Sequence, residues 1–401
     1  MKRQKTSEGP SEFARYTKNG FRWVEPYEYE FKAFAKERWV GKKLIDVCVN
    51  EFVAFDAAYY SEAISTGIIT INGLPTRADH VFKHNDVLRH LSRCVENPVS
   101  GEEISTLFEN DELLIVSKPA SIPVHACGGY RVNTLVALLD NTVHPCHRID
   151  RLTSGIVILG KHSSATRKVT QALVNKTCEK VYLARVRGSL PQPVTVTGWI
   201  ACTDKRIGKF VLLNGRASRM HEEHTDNTHP SKTDSTHPKA HTNNTHINTD
   251  SGHIDKTHTD SPPTHTKAHT DRSNTPTDSP QTDNTRCSNT CTKFSDTRFT
   301  QIADFPNGES LIECRPTTGR THQIRLHLQF LKIPIVNDIC YGGEFDSNHP
   351  FAIRQIPSLQ YDNIGKDFCG GIFLHAHRYV LPELGIDVTA PPPAWAARTH
   401  D

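Results

Sequence analysis

The most informative stretch of the chain is His147-Arg148-Ile149-Asp150-Arg151-Leu152-Thr153-Ser154-Gly155. One carboxylate, Asp150, lies between two arginines and precedes a Thr-Ser-Gly turn. Positive neighbours favour the ionised form of a carboxylate, and arginine is a preferred binder of phosphate. The stretch therefore predicts a reactive carboxylate in a setting that attracts anions.

A second string, Gly319-Arg320-Thr321-His322-Gln323-Ile324-Arg325, follows far downstream. Each residue alone has an ordinary structural explanation. An aspartate before a turn often caps backbone amides, and an arginine on a helix is often simply solvated. The two strings in one chain, in this order, favour a shared site instead.

Together the strings resemble the two main signatures of the RluA-type RNA pseudouridine synthases, which isomerise uridine to pseudouridine within an RNA chain. By this resemblance Asp150 is the catalytic aspartate, and Arg325 is the arginine that pairs with it. Tyr182 matches the tyrosine that stacks on the target base, and Arg148 matches the residue that fills the stack vacated by a flipped nucleotide. Further substrate-binding or pocket-supporting residues would be Arg151, Thr153, Arg320, His322 and Gln323.

The resemblance covers roughly residues 38–216 and 294–385. Within the family, residues 22–27, 36–41 and 328–331 look closest to the eukaryotic branch that modifies uridine 32 of the tRNA anticodon loop. It therefore implies RNA as the partner, in particular a tRNA anticodon stem-loop.

Pseudouridine formation breaks the N1–C1′ bond, turns the base and joins its C5 to the same sugar carbon, with no redox change. A carboxylate is sufficient, either as a nucleophile toward the sugar or the base, or as a base that removes the C2′ proton. The residues leave these three routes open. Because the sequence contains neither a Gly-rich phosphate loop nor metal-ligand spacing, we expect no cofactor and no metal.

Two other function classes compete with an isomerase. A non-catalytic RNA-binding or RNA-chaperone protein could retain the same fold, but such a protein would tolerate loss of the carboxylate, which is present. A glycosidase-like hydrolase usually needs a second matched carboxylate, and the motifs contain none.

Residues 221–293 differ from the rest of the chain in composition. They are rich in Thr, His, Asp and Asn, with almost no large apolar side chains, and cannot bury enough surface to offset backbone entropy. We expect a disordered insertion, placed in a hairpin connection whose ends are close. It carries 10 acidic and 7 basic residues, so the remaining chain has a net charge of +6 rather than the +3 of the whole. Its ten histidines are irregularly spaced, which favours low-complexity drift over a metal site.

Residues 39–93 form a compact unit. They contain two short helical patterns and a strand that runs into the Asn72-Gly73 turn. This order resembles an S4-type RNA-binding module, for which Lys42, Lys43 and Arg77 are candidate RNA-binding residues. The alternative is an ordinary small α+β appendage.

The chain has 401 residues and eleven scattered cysteines without a C-x-x-C pair, which favours reduced thiols in an intracellular compartment. Cytoplasm, nucleus and mitochondrion stay open. The sequence contains no apolar run of membrane-spanning length and no signal-type hydrophobic stretch. We expect a monomer without a membrane partner.

The predicted fold class is α+β, with a mixed, mainly antiparallel β-sheet in the catalytic domain and a small N-terminal S4-like α+β module. Strands are expected at residues 112–119, 156–161, 180–186, 194–201, 210–213, 298–303, 311–314 and 372–377, and a helix is expected after Thr321. The predicted regions are an N-terminal extension (1–38), the S4-like module (39–93), the two parts of the catalytic domain (107–220 and 294–390), the insertion (221–293) and a tail (391–401).

Overall fold

The computed structural model describes residues 14–52, 54–140, 142–204, 208–219, 292–344 and 371–397. All of these residues belong to one compact unit. The disorder expected at 221–293 lies outside the described residues, apart from the last two positions of that range.

The N-terminal part consists of short strands and two helices. Their order is β1 (Arg15–Lys18), β2 (Phe21–Val24), β3 (Tyr27–Phe34), α1 (Leu44–Glu51), α2 (Ala57–Ser65), β4 (Ile69–Ile71), β5 (Leu74–Pro75), β6 (Val87–Cys94) and β7 (Val99–Ser100). Strands β3, β6, β4 and β5 form one sheet in that order, and β1, β2 and β7 form another.

The second part is dominated by a single large sheet. Its elements are β8 (Ser105–Glu109), β9 (Leu113–Lys118), α3 (Leu135–Leu138), β10 (His144–Pro145), β11 (Ser154–Gly160), α4 (Ser163–Asn175), β12 (Glu179–Arg187), β13 (Val194–Asp204), β14 (Lys209–Arg219), β15 (Lys293–Asp304), β16 (Glu309–Pro316), α5 (Gln323–Phe330), β17 (Leu374–Leu381) and β18 (Ile386–Thr389).

This sheet has eleven strands, of which nine follow the order β14-β13-β15-β16-β12-β17-β11-β9-β8, while β10 pairs with β11 and β18 with β17. Among the described residues, β11 with β17 is the one parallel pair, and every other pair is antiparallel. The mixed, mainly antiparallel α+β architecture expected from the sequence is therefore confirmed.

The parallel pair requires the glycine that ends the first motif. Gly155 lies opposite Ala376 with a φ of +104°, and a Cβ added there would lie 2.2 Å from the Ala376 carbonyl oxygen. A side chain at this position would thus meet both backbone strain and a backbone clash. This close approach fixes the start of β11 against β17, directly after the turn that carries Asp150.

Two apolar clusters support the large sheet. One packs β9 and β11 against α4, whose buried face consists of Ala165, Val169 and Ala172. The other packs β12, β15 and β16 against α5 through Ile324 and Leu328. The cleft described below opens between these two halves.

The N-terminal unit contains the elements expected between residues 39 and 93, including both helices and the strand before the Asn72-Gly73 turn. Its boundary differs from the prediction, because β3 at Tyr27–Phe34 pairs with β6 along its whole length. These residues were expected in an unassigned extension. Their pairing with a strand some sixty residues away is a tertiary contact that local sequence patterns do not reveal.

The hairpin connection expected at the insertion is wrong. Both β14 and β15 pair antiparallel with β13, one on each side, so they run parallel to one another. Arg219 lies opposite Val194, whereas Lys293 lies opposite Ile200. The connection therefore crosses about 20 Å along β13, since a strand rises about 3.3 Å per residue.

In the part of the chain that the structure describes, free thiols occur as the sequence predicted, at Cys48, Cys94, Cys127, Cys146, Cys178, Cys202 and Cys314. None of the helices in that part of the chain is long and apolar enough to cross a membrane.

The crossover gives a prediction for the insertion. We propose that residues 221–291 contribute no buried core, so replacing them with a flexible linker of about 15 residues should change the thermal unfolding midpoint by no more than a few degrees. A two-residue linker cannot span the crossover and should lower the midpoint strongly. Equal loss of stability with both linkers would contradict the proposal.

Candidate active site

The two sequence motifs line the same cleft. It has a volume of about 540 Å³ and is bounded by residues 146–150, the C-terminal end of α4, strand β12 and residues 316–325. Of the residues singled out from the sequence, Asp150, Tyr182 and Arg325 all line it, together with Arg148, Thr153, Arg320, His322 and Gln323.

Asp150 lies at the start of a tight turn, in which the Thr153 amide donates to the Asp150 carbonyl at 3.1 Å. Its side chain is 20% exposed, so the carboxylate can meet a ligand in the cleft. One carboxylate oxygen, Oδ2, lies 3.4 Å from Nη1 of Arg325, so the two residues pair as the resemblance implies. The expected contact between the two motifs is confirmed.

A second acid holds Arg325. Asp338 accepts a bidentate pair of hydrogen bonds, from Nε at 2.7 Å and from Nη2 at 2.8 Å, which leaves Nη1 to face Asp150. Arg325 and Asp338 are both almost fully buried. Burial opposes the charge of Arg325, but the hydrogen bonds and charge of Asp338, aided by Asp150, outweigh it and raise the pKa of Arg325. The guanidinium is thus a fixed cation.

His322 lies on the other side of the carboxylate. Its Nε2 is 3.9 Å from Oδ2 of Asp150, while its Nδ1 hydrogen-bonds with the Tyr341 hydroxyl at 2.7 Å. The residue adopts a φ of +56° at the start of α5, a conformation uncommon for a side chain of this size. Burial lowers the pKa of His322, although Asp150 attracts its proton. We infer that His322 is neutral at neutral pH.

Tyr182 projects from β12 into the cleft. Its hydroxyl shares a 2.5 Å hydrogen bond with the hydroxyl of Tyr379, whose ring stacks on His147 with centroids 5.1 Å apart. The Ile158 amide donates to Nε2 of His147, and burial lowers the pKa of His147 to about 4. A neutral histidine and a buried tyrosine therefore hold the ring of Tyr182 in place.

A buried lysine, Lys118, contacts the backbone of the turn that carries Asp150. Lys118 has no exposed surface, and its ammonium donates to the carbonyls of Pro119 at 2.9 Å and Arg151 at 3.3 Å. Burial, with the nearby charge of Arg151, lowers the pKa of Lys118 to about 7. The lysine ties the end of β9 to the residue that follows Asp150.

Further cationic side chains line the cleft that contains the carboxylate, namely Arg148, Lys176, Lys180 and Arg320. Gln323 also lines the cleft, but its side chain forms hydrogen bonds to other groups of the protein. Its carbonyl oxygen accepts from the Thr318 hydroxyl and the Arg320 amide, and its amide donates to the Asp296 carbonyl. Gln323 therefore shapes the loop that presents Arg320.

Arg151 does not line the cleft, unlike the other residues predicted to bind substrate. Its guanidinium lies 5.6 Å from the ring centroid of Tyr130. The residue was expected to bind substrate because it flanks Asp150 in the sequence. In a tight turn, however, consecutive side chains diverge, and this one packs on the loop beyond the cleft.

The candidate RNA-binding residues Lys42, Lys43 and Arg77 are exposed on the N-terminal unit. Backbone hydrogen bonds from Leu44 to His80 and from Ile45 to Ala78 join the start of α1 to the loop that carries Arg77. The three cations therefore share one end of this unit.

Several site residues were missed in the sequence, among them Lys118, Asp338 and Tyr379. Asp338 carried a usable signal, because an acid inside the apolar stretch Ile333-Pro334-Ile335-Val336-Asn337-Asp338-Ile339 is expected to need a buried partner. Tyr379 lies beyond the predicted end of its strand, which β17 extends to Leu381. Lys118 was recognised as part of a strand but not as a buried amine.

Comparisons with known proteins agree with this geometry. Residues 112–330 match the family model described as RNA pseudouridylate synthase, which spans both motifs and more than half of the chain. The chain belongs to this family.

The individual relatives share less than a third of their aligned residues with this chain. The human protein named pseudouridylate synthase RPUSD2 is 30% identical over 340 residues, covering 83% of this chain and 48% of the human protein. Two Saccharomyces cerevisiae proteins are similar. The mitochondrial tRNA pseudouridine(32) synthase is 28% identical, covering 80% of this chain and 55% of that protein, and the tRNA pseudouridine(31) synthase is 31% identical, covering 81% and 73%. The chain thus spans about half the length of the human relative.

The Asp338–Arg325 pair gives a stability prediction. Replacing Asp338 with alanine should lower the free energy of unfolding by about 3–5 kcal/mol, because it leaves a buried guanidinium with only the more distant Asp150. Denaturant unfolding measures the effect.

Asp387→Ala is the matched control. Asp387 forms a similar bidentate pair with Arg378, but both side chains are exposed and screened by solvent, so its loss should lower the free energy of unfolding far less than the loss of Asp338. Equal effects of the two substitutions would show that the buried pair does not stabilise the site.

Proposed function

We propose that the protein is an RNA pseudouridine synthase, which isomerises uridine to pseudouridine in structured RNA by means of Asp150 and without a cofactor. One observation supports this most strongly. The Asp150 carboxylate lies 3.4 Å from a buried, fixed arginine, in a cationic cleft that also contains Tyr182. Membership of the RNA pseudouridylate synthase family supports the same reaction.

In this proposal the contact with Arg325 holds the Asp150 carboxylate so that it is aimed into the cleft. Nη1 of Arg325 contacts one carboxylate oxygen, so the other oxygen is available to attack the sugar or the base, or to remove the C2′ proton. All three routes need the same group at the same place. The target uridine must leave its stack to reach Asp150, because its sugar is inaccessible inside a helix.

The other cleft residues would bind and orient the flipped nucleotide. Burial raises the pKa of Tyr182, so it remains a neutral ring suited to stacking on the base. Arg148 is exposed at the rim, where it can fill the gap left in the RNA, and Arg320 and Lys180 can contact phosphates. Tyr379 acts through Tyr182 by fixing its hydroxyl.

We further propose tRNA as the substrate, with a uridine of the anticodon stem-loop as the target. The support is the names of the two yeast relatives, which specify positions 32 and 31 of tRNA. A monomer is sufficient in this proposal, because both motifs of the cleft come from one chain. An intracellular location accords with the free cysteines of the described residues.

A non-catalytic RNA-binding protein is the alternative from another class. The structure disfavours it, because a binding protein has no need to hold a carboxylate against a buried arginine. Burial of the Arg325–Asp338 pair is costly in itself, and such cost is usual at sites where the charge is used.

The proposal predicts the behaviour of Asp150→Asn. This nearly isosteric change removes the ionised oxygen, so the variant should fold and bind tRNA as the unchanged protein does, while pseudouridine falls below detection. Nucleoside mass spectrometry of treated transcripts measures the product. Asp111→Asn, at an exposed aspartate away from the cleft, should retain full activity. Turnover by Asp150→Asn would overturn the catalytic assignment.

We also propose that the N-terminal unit is an S4-like RNA-binding module that acts mainly through phosphate contacts. The clustering of Lys42, Lys43 and Arg77 at one end supports this. Replacing all three with alanine should make the plot of log affinity against log salt shallower by about 0.7 per lost single-strand contact.

A control variant would remove Lys161 and Lys168 instead. These lysines pair with Glu109 and Glu112 on the large sheet, so the salt slope should stay unchanged. If the variant at Lys42, Lys43 and Arg77 also keeps the slope, the module is a structural appendage.

A further inference from the structure

Three large apolar side chains lie exposed side by side near one edge of the large sheet. Trp199 on β13 is opposite Leu213 on β14 and Phe294 on β15, and the rings of Trp199 and Phe294 are 5.7 Å apart at 73°. Their exposed fractions are 44%, 40% and 40%. A contiguous exposed group of this kind usually marks an interaction surface. We call these three residues the apolar row.

The pleat of β13 explains why this row faces solvent. Val194, Val196 and Ile200 are buried on the face that packs against α5. Because successive side chains alternate between faces, Trp199 points to the opposite side with Thr195 and Thr197. The row therefore lies on the face of the sheet away from α5.

Cations lie beside the row on the same face. Thr197 pairs with Arg216 on β14, and Thr195 pairs with Arg298 on β15. Both arginines are exposed, and within the described residues neither has a carboxylate partner. The acids on this face are Asp296, half-buried beside Thr317 and Lys176, and Glu313, which pairs with Arg315 one strand further along. Beside the row itself, the two arginines therefore outnumber the half-buried Asp296.

The row is also continuous with the candidate active site. Nε of Arg320, a cleft residue, donates to the Phe294 carbonyl at 2.9 Å. The Asp296 amide donates to the Thr318 hydroxyl, and the Asp296 carbonyl accepts from Gln323. The start of β15 and the loop that borders the cleft are thus one connected unit.

We propose that this face is a second RNA-binding surface, on which Trp199 and Phe294 stack against bases of the RNA strand that leaves the cleft. Arg216 and Arg298 would contact its phosphates. Exposed aromatic rings beside cations are the usual platform for single-stranded nucleic acid, and every base offers a face for stacking. The positive charge favours RNA over a second copy of this chain. The inference rests on the proposed function, because it takes RNA as the occupant of the cleft.

The test measures the affinity of the full chain for a tRNA transcript by titration, with Trp199→Ala as the main variant. Loss of a stacking ring should weaken binding by roughly 5- to 150-fold. Trp199→Phe retains a ring and should recover most of the affinity. Phe108→Ala is the matched control, since Phe108 is 39% exposed on β8, at the other end of the strand order.

Tryptophan fluorescence gives a readout that a purely structural role would not move. Trp39 and Trp395 are buried, and Trp23→Phe removes the partly exposed Trp23 from the signal, so in that background stacking at the exposed Trp199 should dominate the quenching when RNA binds. That quenching should disappear in Trp199→Ala, while the thermal unfolding midpoint stays unchanged.

The possible outcomes separate the two proposals. Unchanged tRNA affinity in Trp199→Ala, with strong binding by the unaltered protein, would overturn the second surface and leave the proposed function standing. Failure of the unaltered protein to bind tRNA at all would overturn both. Loss of self-association in Trp199→Ala, without any change in RNA affinity, would assign the row to contact between copies of the chain.

Discussion

The site depends on the ion pairs that the buried guanidinium of Arg325 forms with Asp338 and Asp150. Asp338 holds two of its nitrogens, so the third is presented to Asp150 in a fixed direction. Burying this pair costs free energy, because two charges are removed from water. The attraction and the hydrogen bonds between Arg325 and Asp338 must offset that cost. In return, the carboxylate in the cleft has a partner that cannot rotate away or lose its proton.

The large sheet brings these groups together from distant parts of the chain. Asp150 lies just before β11, Tyr182 is on β12, and Arg325 is on α5, which packs over β13, β15 and β16. Strand β17 lies between β11 and β12 and pairs with both, and Gly155 permits the close approach to Ala376. The site therefore depends on β17 as much as on the two motifs, which is why Tyr379 belongs to it.

Much of this arrangement could be predicted from the sequence. The chemistry of the motifs could be inferred from their residue types and order, and apolar runs located β9, β11 and β12. Residues outside the motifs were harder. Asp338 and Tyr379 become site residues only through contacts across the fold, and β14 and β15 continue through polar positions because one sheet face is solvated.

The crossing insertion was missed because a composition shift reveals where a segment begins and ends, but not which strands flank it. Arg151 shows the reverse error, since sequence adjacency to Asp150 did not place its side chain in the cleft.

The most direct test of the account is a pseudouridine map of cellular RNA, made by chemical probing in cells with and without this protein. The account predicts that one or a few uridines in the loops of structured RNA, above all in tRNA anticodon stem-loops, remain unmodified when the protein is absent, and that restoring the protein restores them. An identical map in both cells would contradict the claim that the Asp150 carboxylate serves to make pseudouridine.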